Sequence, residues 1–337
     1  MSSQLDIALK RSAEDGPTAI PSERYAPLNE LWQGEGLEQF LVDVSEAAAC
    51  GEIEIRFPPH SAPTVAAPGR WNLDGDQRFA DAYPMSWNYL HPDSPNYEFK
   101  QFQRQLYVDR FEPWLTALPA GASVLDLGGG IGRFAIEWLA RGHHVSLCDA
   151  NANALALALG HLAKRGGRYD LWHLSAEDLN AFKDEQFWAI SALEVFCYLS
   201  NPAAGMAEAA RVLKPGGVLF ASVESPVGSL AAGERYTSEE ARAALGTDSK
   251  RVEGDMWVQY FTQESLCNAL THAGFTVEAC FGTHYLADGP LHHLLEIDRL
   301  DDPEYISNVI KLERMLNQSD QWGDLPRAWT AVARKTG

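Results

Sequence analysis

From residue 120 onward the chain alternates short apolar runs with stretches of helical period. Runs at 123–127, 144–148, 171–174, 187–192 and 218–223 read as buried strands, each bounded by turn-forming residues. Between them, 134–140, 153–164 and 203–213 place apolar residues three and four apart, the spacing of a helix face. The last of these is closed by Lys214-Pro215-Gly216-Gly217. A helix at 262–273, a strand at 275–281, a helix at 303–318 and a strand at 329–334 complete the series. Strands alternating with helices predict an α/β domain: a seven-stranded, mostly parallel sheet with helices on both faces.

The first third reads differently. Residues 36–50 have helical periodicity (Leu37, Phe40, Leu41, Val44, Ala48) and 52–57 alternate like a strand. A proline-rich stretch at 57–69 reads as an extended arm. After it come Trp71, Phe79, Tyr83, Trp87, Tyr89, Tyr97, Phe99, Phe102, Tyr107, Phe111 and Trp114, too apolar a set for a disordered tail. The expected organisation is an N-terminal appendage at 1–115, packed as a lid on a domain at 116–337. That domain would carry an insertion near 225–257 and a helical segment near 300–320.

Charge narrows the partners. A formal net charge of −19 and a pI of about 4.9 argue against nucleic acid and anionic membrane surfaces. No apolar stretch reaches the ~18 residues of a membrane helix, and Met1-Ser2-Ser3-Gln4-Leu5-Asp6 has no signal pattern. The five cysteines are scattered without a Cys-x-x-Cys pair, as in a reduced compartment. The expectation is a cytoplasmic protein acting on a small molecule, with a homodimer compatible with the sequence.

The chemistry concentrates in Val124-Leu125-Asp126-Leu127-Gly128-Gly129-Gly130-Ile131-Gly132-Arg133-Phe134, a strand that turns on glycines into a helix. Such a corner lets backbone approach a ligand closely. A dinucleotide fingerprint needs glycine at the first, third and sixth positions; counted from Gly128, the sixth is Arg133. Asp126-x-Gly128-x-Gly130-x-Gly132 instead resembles motif I of the class I S-adenosylmethionine-dependent methyltransferases, whose fold is Rossmann-like. Asp149 ends the second strand 21 residues after Gly128. A carboxylate there can accept hydrogen bonds from both ribose hydroxyls, or serve as a helix N-cap.

The resemblance implies further roles. Ser175-Ala176-Glu177-Asp178-Leu179 is similar to the family segment beside the adenine, where the amide at Ala176 and the acid of Glu177 would meet the ring; a solvated helix start is the plainer reading. The fourth strand, ending Ala192-Leu193-Glu194, resembles motif IV and puts Leu193 at the donor. Two positions depart from the family: Trp188 stands where an acid is usual and Tyr198 where a histidine is frequent. Tyr107 and Arg110, on the helix before the first strand, would reach the donor's carboxylate. The likeness covers about 120–282 and 329–335; residues 1–115 and about 225–257 lie outside it.

The acceptor side is less marked. Candidate catalytic residues are His284, Tyr198 and Glu224, with Tyr285 and the segment Trp87 to His91 as further acceptor-side candidates. His292-His293 completes no coordination sphere, so no metal is expected. The turn Leu193-Glu194-Val195-Phe196 lacks the Asn/Asp-Pro-Pro-aromatic pattern of nucleic-acid amino-methylating enzymes. What the resemblance implies is methyl transfer from S-adenosyl-L-methionine to O, N or S of a small molecule. An NAD-type oxidoreductase and a non-catalytic protein binding the same donor are the alternatives.

Overall fold

The apolar runs pair into one sheet. Its strands are β1 (Ser123–Leu127), β2 (His144–Asp149), β3 (Arg168–His173), β4 (Phe187–Leu193), β5 (Leu213–Glu224), β6 (Phe275–Thr283) and β7 (Ala328–Lys335). Their order is β6-β7-β5-β4-β1-β2-β3. This is a computed structural model, and it describes residues 6–9, 18–19, 53–56, 67–231, 250–251 and 257–336. Only β7 runs antiparallel, inserted between β6 and β5. The chain reverses direction across the sheet at β1, whose neighbours are β4 and β2. In an open α/β sheet, ligands sit in the crevice outside the carboxyl ends of the strands at that point.

Helices cover both faces, which is why the central strands are buried almost end to end. The described helices are α1 (Ala67–Ala82), α2 (Pro84–Trp87), α3 (Tyr97–Leu115), α4 (Ala135–Ala140), α5 (Ala152–Arg165), α6 (Pro202–Val212), α7 (Pro226–Ala231), α8 (Gln263–His272) and α9 (Pro303–Asn317). One face packs Tyr107, Phe111, Trp138, Leu155 and Leu162 from α3, α4 and α5 against Val124, Val145 and Phe220. The other packs Met206 and Leu266 from α6 and α8 against Leu125, Ile190 and Leu219. A third cluster joins α3 and α9 through Phe102, Leu106, Tyr305 and Val309. Local chemistry ends the helices as expected. Thr262 caps α8 in a capping box with Ser265, and Gly274 follows that helix with φ +94°.

Boundaries differ in two instructive places. β5 begins at Leu213, before the Pro-Gly-Gly turn, because Phe187 pairs with Leu213 while Ala189 pairs with Val218. The turn is therefore a bulge carried on the strand. β3 begins at Arg168, and its Asp170 carboxylate meets His144 of β2 at 2.8 Å. The strand expected at 52–57 is present as Ile53–Arg56, paired with Asp6–Leu9. The helix expected at 36–50, nearly all of the 57–69 arm and most of 225–257 lie outside the described residues. Among the described residues, no helix is long and apolar enough to cross a membrane.

Candidate active site

The glycine turn leaves β1 at the crevice. Gly128 has φ +61°, and a Cβ there would lie 2.6 Å from Val195 Cγ2, so both backbone and space demand glycine. Gly130, φ +55°, forms the open rim: a Cβ would meet nothing nearer than Tyr89 Oη at 3.8 Å. Asp149 ties this rim to β2. Its Oδ2 accepts from Gly130 N–H at 2.8 Å and its Oδ1 from Asn151 N–H at 2.8 Å. The N-cap of α5 is Asn151, not Asp149, so the helix start does not account for this acid. Each carboxylate oxygen has capacity for a further hydrogen bond. Behind the turn, buried Asp126 accepts from Ser191 Oγ at 2.6 Å, and Ser191 Oγ accepts from Trp138 Nε1 at 2.9 Å. Burial pushes the Asp126 carboxyl up to about 7, against the pull of the Ser191 hydroxyl.

The segment before α3 packs here, with Trp87, Tyr89 and Leu90 against Ile131, Ala154 and Leu157. Gln77 Oε1 accepts from Asn153 Nδ2, and Asn88 Oδ1 meets His161 Nε2 at 2.6 Å, fastening α1 and the turn after α2 to α5. Asn72 accepts from Trp257 N–H at 2.6 Å and donates to the Tyr198 carbonyl at 3.2 Å, fastening α1 to the turn after β4. Asp76 of α1 faces Asp149. Burial first, then the Asp149 charge, push Asp76 up to about 7, while the Asn151 side chain pulls it down. No motif pointed to Asp76; its only signal was an acid inside an aromatic-rich amphipathic stretch.

Asp76 gives a pH prediction. Its folded value lies above its unfolded one of 3.8, so between about 4 and 7 the folded protein holds a proton that the unfolded chain has lost. Its environment therefore favours the fold at low pH, and that advantage disappears as pH rises through about 7. An Asp76→Asn protein should be more stable than wild type at pH 8 by on the order of 1–2 kcal/mol, and close to it at pH 5. Urea unfolding at both pH values checks this; parallel curves for the two proteins would contradict it.

A second cluster lies across the crevice, where four strand ends meet. Glu194 follows β4 with φ +60°, Glu224 ends β5, His284 follows β6 with φ +63°, and Arg327 precedes β7. The register explains their meeting: Ala328 pairs with both Glu224 and Thr283. Glu194 Oε1 accepts from Tyr107 Oη at 2.9 Å, and its N–H donates to Ser222 Oγ at 2.9 Å. Arg327 Nη1 lies 3.5 Å from one of its oxygens and Arg133 Nη2 3.8 Å from the other. Burial alone would raise the Glu194 carboxyl; Arg327, Arg133, His284 and Lys100 overcome this and hold it well below the usual carboxylate range. Glu224 Oε1 accepts from Arg327 Nη2 at 2.6 Å and Tyr198 Oη at 2.8 Å.

His284 is fully buried, with Nδ1 3.0 Å from Thr283 Oγ1 and its ring 4.8 Å from that of Tyr107. Burial pushes its pKa down to about 3; Glu194 opposes this, and Arg327, Arg133 and Lys100 add to it. Its Nε2 and the Nη1 of Arg327 are buried without a hydrogen-bond partner among the described residues. Lys100 donates to Gln103 Oε1 at 2.8 Å, and burial, with Arg133 next to it, pushes it down to about 8.

The structure thus brings Tyr198, Glu224, His284 and Tyr107 into one cluster, and Asp126, Gly128, Gly130, Gly132 and Asp149 into one turn. Leu193 stands between them at the end of β4. Others point elsewhere. Glu177 accepts from the Asn201 N–H at the start of α6, beside buried Ala176. Arg110 stacks on Phe281 at 4.6 Å, and Tyr285 donates to the Gly323 carbonyl at 2.8 Å. His292 Nδ1 meets the Leu286 carbonyl at 3.0 Å. Among the described residues, no group of three or more His, Cys, Asp or Glu is placed to hold a metal. Sequence reasoning missed Lys100, Glu194 as a charge centre, and Arg327. Arg327 carries no local signal, since it joins Glu224 only through the insertion of β7.

Comparison with known proteins agrees with this geometry. Residues 99–279 match the family described as a methyltransferase domain. The chain is 30% identical over 155 residues to a ubiquinone biosynthesis O-methyltransferase of Aromatoleum aromaticum, covering 45% of this chain and 64% of that one. It is 35% identical over 133 residues to the protein of the same name from Thiobacillus denitrificans, covering 38% and 55%. The matches thus span less than two thirds of these relatives' length. Among solved structures, an N-methyltransferase of Haemonchus contortus, determined with phosphomonomethylethanolamine and S-adenosylhomocysteine, superposes with a TM-score of 0.52. At 18% identity, covering 84% of this chain and 62% of that one, it shares the fold. The family match across more than half the chain, the glycine turn and the sheet order together place this protein in the methyltransferase-domain family, among the class I S-adenosylmethionine-dependent methyltransferases.

Proposed function

We propose that the protein transfers a methyl group from S-adenosylmethionine to a small-molecule acceptor. The observation that carries the reading is the pairing of Asp149 with the Gly130 rim on one side of the crevice and the Glu194–Arg327 cluster on the other. The residues fit such a donor. Asp149 has lone pairs left for two ribose hydroxyls, the rim at Gly130 is free of side-chain bulk, and Lys100 and Arg133 offer cations to a carboxylate. Ala176 and Glu177 are kept as the adenine side, with the amide at Ala176 the stronger partner because the Glu177 carboxylate already serves Asn201. When bound, the donor supplies a methyl already activated on a sulfonium.

The chain's own work is alignment, exclusion of water and control of a proton. α1 and the turn after α2 are fastened to α5, and Tyr89 Oη stands nearest the Gly130 rim, which supports a lid role for the N-terminal segment. On the acceptor side, Glu224 accepts from both Arg327 and Tyr198, and His284 offers an uncharged ring. With its pKa held near 3, His284 orients the acceptor and stores no proton near neutrality. The surrounding cations complement it by favouring the deprotonated acceptor. The O-methyltransferase names of the two curated relatives support oxygen as the receiving atom. The net charge of −19 supports a small molecule in the cytoplasm over nucleic acid.

The test is acceptor-dependent formation of S-adenosylhomocysteine by the full chain, assayed against a panel of small hydroxylated, amino and thiol compounds. The reading predicts turnover above the acceptor-free background for at least one of them. Tight donor binding with no turnover across the panel would favour the non-catalytic alternative.

A further inference from the structure

We propose that the acceptor is itself a small carboxylic acid, and that its carboxylate docks on Arg327 beside His284. This rests on the methyl-transfer reading and adds the class of molecule that the acceptor side selects.

Two buried polar atoms in one cluster lack a hydrogen-bond partner among the described residues: Arg327 Nη1 and His284 Nε2. Such atoms are rare in folded proteins, and each is costly to leave unmet. Both residues feel the charge of the same carboxylate, Glu194. Arg327 Nη1 is 3.5 Å from Glu194 Oε2 and forms no hydrogen bond with it. The guanidinium is fixed from behind by Glu224 at 2.6 Å, so the Nη1 side cannot swing away to find another partner. A planar guanidinium held in this way presents N–H groups suited to an oxyacid.

Charge points in the same direction. Arg327, Arg133 and Lys100 all act on Glu194. Among the described residues, Lys100 has no carboxylate within ion-pair distance and bonds only to the Gln103 amide. Asp288 lies on the far side of that amide, accepting from Gln103 Nε2 at 3.1 Å. With Lys100 and Arg133 turned to the donor's carboxylate, Arg327 is the cation left to the acceptor: an ammonium acceptor would meet its charge, and a neutral one would leave its Nη1 without a charged partner beyond Glu194. Glu194 and Glu224 flank Arg327, so a phosphate dianion would meet twice the repulsion that a carboxylate meets there. In a protein of net charge −19, a buried basic site of this kind stands apart from the surrounding field.

The experiment compares matched acid and amide pairs of hydroxylated and amino compounds, aromatic and aliphatic, 4-hydroxybenzoate against 4-hydroxybenzamide among them. For each, S-adenosylhomocysteine formation and the thermal shift of the S-adenosylhomocysteine-bound full chain are measured. The proposal predicts that every productive acceptor is an acid and that its amide is at least tenfold poorer in kcat/KM. Arg327→Lys keeps the charge toward Glu224 but loses the fork. It should raise KM for the acid at least tenfold while S-adenosylhomocysteine affinity stays within twofold. Arg327→Gln should abolish the acid-dependent thermal shift if it folds; the wild-type acid-to-amide ratio stands as the test if it does not. Equal use of amides, an unchanged KM in Arg327→Lys, or no acid that shifts or reacts with a protein that binds S-adenosylhomocysteine would overturn the proposal. Failure to bind S-adenosylhomocysteine at all would instead overturn the methyl-transfer reading.

Discussion

An Asp149→Ala protein should bind S-adenosylhomocysteine about 100-fold more weakly than wild type, a loss of roughly 3 kcal/mol. The carboxylate has two roles that alanine cannot fill. It accepts the N–H groups of Gly130 and Asn151, each at 2.8 Å, which fixes the rim of the turn against β2. In the proposed complex it also receives two ribose hydroxyls, and hydrogen bonds to a charged acceptor are the stronger kind. The fold should survive, because α5 keeps its own N-cap in Asn151, whose side chain accepts from Asn153 and Ala154. Asp149→Asn, which keeps shape and loses charge, should fall between the two, near tenfold. Calorimetric titration measures both. An Asp149→Ala affinity within threefold of wild type would remove Asp149 from the donor site.

The second large effect concerns stability. Glu194→Ala should destabilise the protein by about 3–5 kcal/mol, the usual consequence of leaving buried cations without their counter-charge. Arg133, Arg327 and Lys100 would then crowd one another, and Tyr107 Oη would keep only Ser222 Oγ, at 2.9 Å. Glu194→Gln should cost less, since the amide oxygen can still accept from Tyr107. The pH dependence has a definite sign. The folded Glu194 carboxyl lies well below its unfolded value of 4.5, so its contribution is complete at neutral pH. It fades only as pH falls below about 4.5 toward the depressed folded value. Urea unfolding at pH 7 and in acid reads both effects. A Glu194→Ala protein within about 1 kcal/mol of wild type would show that Arg133 and Arg327 find other partners.

The fold was legible because its signals are local and repeated. Each apolar run became a strand, and the glycine spacing at 128–132 distinguished this turn from a dinucleotide one. Strand limits slipped where pairing across the sheet decided them, as at Leu213, whose partner Phe187 lies on another strand. Tyr107 was expected to reach the donor's carboxylate from the helix before β1, yet its hydroxyl belongs to Glu194 and Ser222, a pairing set by how α3 packs against the sheet. Glu177 sits at the expected turn but is taken by the Asn201 amide, because α6 begins beside it. The acceptor cluster was the least legible part. Glu194 and His284 take left-handed backbone without being glycine, a conformation imposed by surroundings and not announced by residue type. Arg327 reaches Glu224, 103 positions earlier, only because β7 enters the sheet last and antiparallel. Lys100 and Asp76 owe their surroundings to helices whose docking no short motif encodes.

Whether the glycine turn and Asp149 hold S-adenosylmethionine is decided by calorimetric titration of the full chain with S-adenosylhomocysteine and, separately, with NADH. The expected result is one saturable S-adenosylhomocysteine site per chain and no saturation with NADH. Saturable NADH binding with no heat from S-adenosylhomocysteine would show that the corner holds a dinucleotide instead.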